Sequence, residues 1–206
     1  DYRFLEGATI NDSLYLSTFD GSHAFLFKLK SEGEKLAGDF WSGDAWHETL
    51  VATPNPDAQL PNAFGITKVD PSVVLEDIPL TKLNGEKTTL LTEAGKGPRV
   101  IELFGSWCPN CHDAAVVLSD LHSDYADKGL KIVGLAFEYS GEKARDLRQV
   151  QTYQKRHEVA YPLFLAGVAE KDVAGALFKG LDRVRAFPTT LFVNHRGELK
   201  EVHTGF

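Results

Sequence analysis

The stretch that decides the fold is Val-Ile-Glu-Leu-Phe-Gly-Ser-Trp-Cys-Pro-Asn-Cys, residues 100–111. It begins within a short apolar run, residues 99–105, which carries one acid and is typical of a buried strand. Cys108 and Cys111 follow at once. Beyond them, apolar side chains recur at spacings of three and four over residues 109–128, which predicts a helix with one inward face. The side chains expected on that face are Ala114, Val117, Leu118, Leu121 and Tyr125. The two cysteines are therefore expected where a buried strand gives way to the first turn of a helix.

The position of the cysteines relative to the helix gives them different chemistry. Pro109 suits the first helical turn, because an N–H there has no partner within the helix in any case. Cys108 stands at the positive end of the helix dipole, which stabilises a thiolate. Cys111 lies one turn further along the same face. The first sulfur is thus placed to attack a disulfide and the second to resolve the mixed disulfide, with Trp107 expected to cover the pair.

Three other interpretations of the pair stay open at this point. The run from Cys108 to Cys111, followed by His112, fits the pattern for covalent haem attachment, although the chain has no Met to serve as a sixth ligand of the iron. A zinc site would need two further ligands, and the chain has no other cysteine. Two inert structural thiols are the third. We expect no metal and no cofactor, because a buried strand entering the pair suits a redox couple better than a haem.

The overall composition fits a globular protein and disfavours some classes of partner. The 206 residues carry a net charge of −7 and are 43% hydrophobic. Nucleic-acid binding is not expected, because it requires clustered Lys and Arg. No apolar run approaches the roughly 18 residues that a membrane span needs.

Two parts of the chain differ in their pattern. Near the N-terminus, two runs rich in apolar side chains flank Asp-Gly-Ser-His at residues 20–23, which is typical of a β-hairpin. Four prolines within residues 53–72 then break any regular element. We expect a β-rich region at residues 1–60 and a second domain at residues 61–206. The β-rich region could form a separate sheet, extend the main sheet or make a dimer surface.

Within the second domain, strands and helices alternate along the chain. Such alternation predicts an α/β fold with a central, largely parallel sheet that is covered on both faces and has an antiparallel edge. Besides the strand and helix around the cysteines, the expected strands are residues 130–137, 161–165, 189–193 and 199–203, and the expected helices are residues 142–157 and 169–178.

Two motifs resemble a known family. Phe-Gly-Ser-Trp-Cys-x-x-Cys at residues 104–111 looks like the active site of the thioredoxin superfamily, in particular of the TlpA-like (ResA-like) extracytoplasmic reductases. Ala-Phe-Pro-Thr-Thr-Leu-Phe-Val at residues 186–193 is similar to the second hallmark of that family, a cis-proline segment that opens the next strand. The resemblance covers about residues 65–206. It implies a thioredoxin-like central mixed sheet flanked by helices, with an inserted strand and helix around residues 142–178 and an N-terminal antiparallel β appendage.

The resemblance also implies roles for individual residues. Cys108 and Cys111 are the catalytic dithiol. Glu102, six residues before Cys108, is the buried acid that handles the proton of Cys111, and in an apolar strand its pKa is expected to rise toward neutrality. The Phe187–Pro188 peptide bond is expected to be cis. The residues expected to bind the substrate are Trp107, Pro109, Phe187, Pro188 and Thr189.

The function implied by the resemblance is thiol–disulfide exchange. The expected substrates are protein disulfides, the expected electron donor is a membrane protein, and the expected setting is the bacterial periplasm or another extracytoplasmic space, with or without a membrane tether. Two alternatives remain. One is a peroxiredoxin-like peroxidase, although its pattern has a Thr three residues before the attacking Cys and this chain has Gly105. The other is a partner-binding module in which the β appendage binds and the dithiol is vestigial.

Overall fold

The computed structural model describes residues 5–19, 24–95 and 97–206. The chain divides into two compact units, Asp1–Leu60 and Pro61–Phe206. The division falls within the proline-rich stretch. That each unit is a domain that folds by itself stays a prediction.

The first unit is a five-stranded antiparallel sheet whose strands are neighbours in chain order. Its strands are β1 (Glu6–Ile10), β2 (Ser13–Phe19), β3 (Ala24–Glu32), β4 (Lys35–Ser42) and β5 (Trp46–Ala52). The predicted turn at residues 20–23 lies outside the described residues. This sheet is distinct from the sheet of the second unit, so of the arrangements considered above it takes the form of a separate sheet. The rings of Phe27 and Phe40 stack on adjacent strands, with centroids 4.6 Å apart.

The second unit alternates strands and helices. Its elements are α1 (Ala63–Ile66), β6 (Pro79–Lys82), β7 (Lys87–Thr89), α2 (Leu90–Ala94), β8 (Arg99–Phe104), α3 (Pro109–Tyr125), β9 (Lys131–Glu138), α4 (Lys143–Arg156), β10 (Leu163–Val168), α5 (Lys171–Ala176), β11 (Thr189–Val193) and β12 (Leu199–Thr204). None of the helices in the described part of the chain has both the length and the hydropathy of a membrane span.

Seven strands form one mixed sheet in the order β12-β11-β8-β9-β10-β6-β7. Two pairs of neighbouring strands are parallel, β8 with β9 and β9 with β10. All other neighbours are antiparallel. The predicted mixed α/β class is therefore confirmed, but the prediction that the sheet is largely parallel was wrong. The antiparallel part is larger because β6 and β7 add a second antiparallel edge beyond β10.

Helices cover both faces of this sheet. Since side chains along a strand alternate between faces, β8 contributes to two apolar layers. Val100 and Phe104 pack with α3 and α4 on one face, whereas Ile101 and Leu103 pack on the other face with the layer that includes α2 and α5. The same alternation puts Glu102 on the face of Val100 and Phe104, which is the face that α3 covers.

Candidate active site

The cysteine pair lies where the sequence predicts it. Cys108 is the N-cap of α3, and Cys111 is in the first turn of that helix. The two are joined as a disulfide, so the structure holds the oxidised form. The backbone N–H of Cys111 points at Sγ of Cys108, at 3.3 Å. Cys108 is only 4% exposed and Cys111 is fully buried, so the outer sulfur is the one that a partner can reach.

The loop before Cys108 is closed around Trp107. The indole Nε1 donates a 2.9 Å hydrogen bond to the Phe137 carbonyl, and the ring lies 4.4 Å from that of Tyr139. A Cβ on Gly105 would lie 2.2 Å from this indole nitrogen. The loop therefore needs glycine at position 105, and the Thr of the peroxidase pattern does not fit unless the indole moves.

The proline segment meets the dithiol from the neighbouring strand. The Phe187–Pro188 peptide bond is cis, and the Phe187 carbonyl oxygen lies 3.5 Å from Sγ of Cys108. The Phe187 ring also meets Trp107 edge-on, with centroids 5.8 Å apart. The Pro188 carbonyl already accepts a hydrogen bond from the Gly205 N–H. Phe187 is thus the residue of this segment whose backbone and ring both lie beside the dithiol.

Pro109 and Thr189, the two remaining residues of the predicted substrate-binding set, differ in position. Pro109 is half-buried at the start of α3, directly beside Cys108. Thr189 is fully buried in the sheet, and its hydroxyl donates to the Ala186 carbonyl at 2.7 Å. Any effect of Thr189 on binding would therefore come through the shape of the loop.

Glu102 lies in the middle of the sheet. It pairs with Thr190 of β11 and Gly134 of β9 and is fully buried. The Tyr161 hydroxyl donates to its Oε2 at 2.6 Å, and Oε1 has no hydrogen-bond partner within residues 5–19, 24–95 and 97–206. Burial raises the pKa of Glu102 to about 7, against the opposing effect of the hydrogen bond from Tyr161. Near neutral pH the group can both take up and release a proton.

Space for the Tyr161 ring comes from Gly134. A Cβ at this position would lie 2.4 Å from Cδ2 of Leu163 and 3.3 Å from Cε2 of Tyr161. Glycine therefore lets the tyrosine lie against the strand at the level of Glu102.

Polar groups also contact the first turn of α3 from α4. The Tyr153 hydroxyl donates to the Cys111 carbonyl at 2.9 Å. The rings of His112 and His157 stack with centroids 4.2 Å apart, and Nε2 of His112 lies 3.2 Å from the Ser106 carbonyl oxygen. Burial, and then the neighbouring His112, lower the pKa of His157.

A second buried acid, Glu138, ends β9 beside the dithiol loop. It is 3% exposed, and its carboxylate accepts 2.8 Å hydrogen bonds from both the backbone N–H and the hydroxyl of Ser106. Burial raises the pKa of Glu138, with Ser106 opposing. Next to it is a cavity of about 440 Å³, lined by Ser106, Trp107, Glu138, Tyr139, Ser140, Arg145, Asp146 and Gln149.

Sequence reasoning missed Tyr153, Tyr161 and Glu138. The predicted strand at residues 130–137 ends one residue before Glu138, and a carboxylate after an apolar run usually lies in solvent. Nothing in the sequence links Tyr161 to Glu102, which lies 59 residues earlier.

The described part of the chain holds no group of three or more His, Cys, Asp or Glu side chains arranged to bind a metal ion. In the disulfide form, neither sulfur is available to a haem.

The geometry agrees with the comparison to known families. The sequence pattern of the AhpC/TSA family matches residues 72–202. The chain belongs to the AhpC/TSA family. The matched segment contains every residue of the predicted site.

Two curated relatives match this AhpC/TSA chain over about two thirds of its length. It is 28% identical over 130 residues to the thioredoxin-like protein YneN of Bacillus subtilis, which covers 63% of this chain and 68% of the relative. It is 29% identical over 133 residues to the thiol-disulfide oxidoreductase ResA of Halalkalibacterium halodurans, which covers 64% of each. The chain thus spans about two thirds of the length of these relatives.

Solved structures show the same fold. A thiol-disulfide oxidoreductase from Bacteroides fragilis superposes with a TM-score of 0.52 at 16% identity, over 64% of this chain and 90% of the other. A thiol:disulfide interchange protein of the thioredoxin family from Chlorobium tepidum gives 0.50 at 17% identity, over 63% and 83%. The predicted thioredoxin-like fold of this AhpC/TSA chain is confirmed.

Proposed function

We propose that this chain reduces disulfides of protein substrates by thiol–disulfide exchange, with Cys108 as the attacking and Cys111 as the resolving residue. The observation that carries the proposal is the position of Cys108. It caps α3, and its sulfur lies 3.5 Å from the Phe187 carbonyl. The names of the two curated relatives, one thioredoxin-like and one a thiol-disulfide oxidoreductase, support the same reaction class.

The first step starts from the reduced dithiol. The thiolate of Cys108, stabilised at the helix N-terminus, attacks one sulfur of the substrate disulfide. A bond forms between Cys108 and that sulfur, the substrate S–S bond breaks, and the other substrate sulfur leaves as a thiolate that takes a proton from solvent.

The second step resolves the mixed disulfide. Cys111 is buried, so its proton needs an acceptor inside the protein, and Glu102 on the same face of the sheet serves as that base. The Cys111 thiolate then attacks Cys108, the mixed disulfide breaks, and the substrate leaves with both sulfurs reduced. Two electrons pass from the dithiol to the substrate, which leaves the protein as the disulfide described above.

The substrate chain docks at Phe187. The carbonyls of the residues on either side, Ala186 and Pro188, are already engaged within the protein. An extended substrate segment would therefore pair with the Phe187 backbone, with its cysteine next to Cys108 and its side chains against the rings of Phe187 and Trp107.

Regeneration of the dithiol requires two electrons from another dithiol protein. We place this donor in the membrane and the reaction outside the cytoplasm, most simply in a bacterial periplasm, on the likeness of the two motifs to the TlpA-like reductases.

Trapping tests the proposal. A Cys111→Ser variant expressed in its own host cannot resolve, so we expect substrates that stay disulfide-linked to Cys108 and are released by reductant. The matched control is a Cys108→Ser, Cys111→Ser double variant, which should trap nothing. An empty trap, together with no reduction of a model protein disulfide by the purified reduced protein, would contradict the proposal.

The same protein distinguishes the alternatives. Rapid consumption of peroxide that needs Cys108 but not Cys111 would identify a peroxidase, against the space restriction at Gly105. A stable complex through residues 1–60 without any exchange activity would identify a binding module.

Expression of residues 61–206 alone tests the division into domains, because an independent domain should keep a cooperative thermal transition and the exchange activity.

A further inference from the structure

The end of β9 holds the loop that leads into the dithiol. Both oxygens of Glu138 are engaged by Ser106, one by its N–H and one by its hydroxyl, each at 2.8 Å. The residue before Glu138, Phe137, accepts the indole hydrogen bond of Trp107 at 2.9 Å. Three hydrogen bonds therefore fix two consecutive loop residues to the end of one strand.

The loop in turn fixes Cys108. The Cys108 N–H donates to the Gly105 carbonyl at 3.1 Å, which closes a turn with Ser106 and Trp107 at its centre. On its other side, the Ser106 carbonyl faces Nε2 of His112 at 3.2 Å. The backbone of Ser106 thus contacts the carboxylate of Glu138 through its N–H and the first turn of the helix that carries Cys111 through its carbonyl.

Burial makes this contact specific. Glu138 is withdrawn from water, so the Ser106 donors are not exchanged for solvent, and hydrogen bonds to a carboxylate are stronger than those between neutral groups. If one of these hydrogen bonds is lost, a buried polar atom stays without a partner. The free energy that this costs is larger than the free energy that the hydrogen bond contributes.

We propose that Glu138 is a positioning residue of the dithiol: it holds Ser106 so that Cys108 stays opposed to Cys111 when the disulfide is open. The inference rests on the proposed function in one respect, namely that the two cysteines cycle between dithiol and disulfide.

The consequence is an equilibrium one. When protein dithiol reacts with oxidised dithiothreitol, the protein gains an S–S bond and dithiothreitol gains two thiols. The equilibrium constant depends on how well the protein holds its two sulfurs together. A looser loop lowers the local concentration of one thiol at the other. The protein disulfide then becomes easier to reduce.

The test is the reduction potential of the pair in Glu138→Gln, measured against dithiothreitol by alkylation of free thiols. The Gln amide offers one acceptor oxygen where the carboxylate offers two, so the Ser106 hydroxyl has to turn and accept from the amide NH2. Both contacts with Ser106 also lose the strength that the negative charge of the carboxylate gives them. We expect an equilibrium constant for disulfide formation that is lower by about tenfold, which is a potential less negative by about 30 mV.

Three further variants separate the positioning of Ser106 from the charge of the carboxylate. Ser106→Ala removes only the hydroxyl donor and should lower the constant by about threefold. The double variant should be no worse than Glu138→Gln alone, because both changes act through one contact. Asp146→Asn changes another buried acid of the same cavity. Because its carboxylate is bonded by Ser140 and not by Ser106, this variant should leave the constant within about twofold.

The outcomes are distinct. An unchanged potential in folded Glu138→Gln, or an equal shift in Asp146→Asn, would overturn the proposal. If Glu138→Gln shows no cooperative thermal transition, Ser106→Ala decides, and an unchanged constant there counts against it. Because dithiothreitol replaces the protein substrate, a chain without reductase activity would contradict the proposed function and leave this measurement intact.

Discussion

The hydroxyl of Tyr161 donates a 2.6 Å hydrogen bond to Oε2 of Glu102, between two residues that are both shielded from water. Burial favours the neutral acid, whereas this hydrogen bond favours the carboxylate. The balance raises the pKa of Glu102 to about 7. One tyrosine, 59 residues away along the chain, therefore holds the pKa of the proposed base below the value that burial alone would give.

Replacing Tyr161 should raise the pKa of Glu102. In Tyr161→Phe, Glu102 loses its hydrogen bond, so we expect its pKa to rise above about 7 by about one unit. The rate of mixed-disulfide resolution, followed by stopped flow as a function of pH, should show its midpoint at correspondingly higher pH. Tyr153→Phe is the matched control, since its hydroxyl donates to the Cys111 carbonyl, and it should leave this midpoint in place. A midpoint that stays or falls in Tyr161→Phe contradicts the assignment.

Glu102 should also make stability depend on pH. Its ordinary pKa is 4.5 and burial raises it to about 7, so the folded chain holds the proton more tightly than the unfolded chain. The stabilisation is complete below about 4.5 and is lost as the pH rises through 7. Glu102→Gln removes this dependence. At pH 8 the free energy of unfolding of the oxidised variant should therefore exceed that of the oxidised wild type by about 3 kcal/mol. The two should be nearly equal at pH 4.5.

Urea unfolding of both oxidised proteins at the two pH values measures this difference. Glu138, whose pKa burial also raises, is present in both proteins and cancels in the comparison. A variant that is less stable than the wild type at pH 8 would show that the ionised carboxylate is not a cost to the fold.

The space at Gly134 gives a packing prediction. A Cβ there would approach Leu163 to 2.4 Å and Tyr161 to 3.3 Å, so Gly134→Ala should lower the free energy of unfolding by about 2 kcal/mol. The control is Gly167→Ala in β10, where the Cβ would meet Phe137 and Val173 at an ordinary 3.5 Å. Equal costs for the two substitutions, measured by urea unfolding, would show that the close approach is not what requires glycine.

The stacked histidines give a prediction for NMR titration. Burial is the larger reason for the lowered pKa of His157, and His112 is the next. In His112→Gln the pKa of His157 should therefore rise only part of the way to its ordinary value of 6.5. A full return to 6.5 would make the neighbouring imidazole the main cause, and a further fall would contradict the repulsion.

The sequence predicts the centre of the fold better than its margins. The strand before the cysteines and the helix after them could be predicted because apolar periodicity and Pro109 act locally. Strands β6 and β7 were missed, since short polar strands with a proline and a glycine turn show no period. Val117 of α3, which the spacing turns inward, is 53% exposed, because the face that α3 buries is centred on Ala115 and Leu118.

The candidate site divides in the same way. Cys108, Cys111 and Pro188 follow from motifs, and burial of Glu102 follows from its apolar neighbours. Tyr161 and Glu138 act through contacts with residues distant in the chain, at 59 and 32 positions of separation. Such contacts depend on strand order, which a single sequence does not specify.

The contact between Cys108 and Phe187 spans 79 residues, and this has a consequence during synthesis. A ribosome that adds ~5–20 residues per second takes about 4 to 16 seconds to pass from one to the other. During that interval the nascent chain carries both thiols without the segment that will flank them, and β8 lacks β11, its neighbour in the finished sheet. Until Phe187 has been added, Cys108 therefore lacks the backbone carbonyl that lies beside its sulfur in the finished protein.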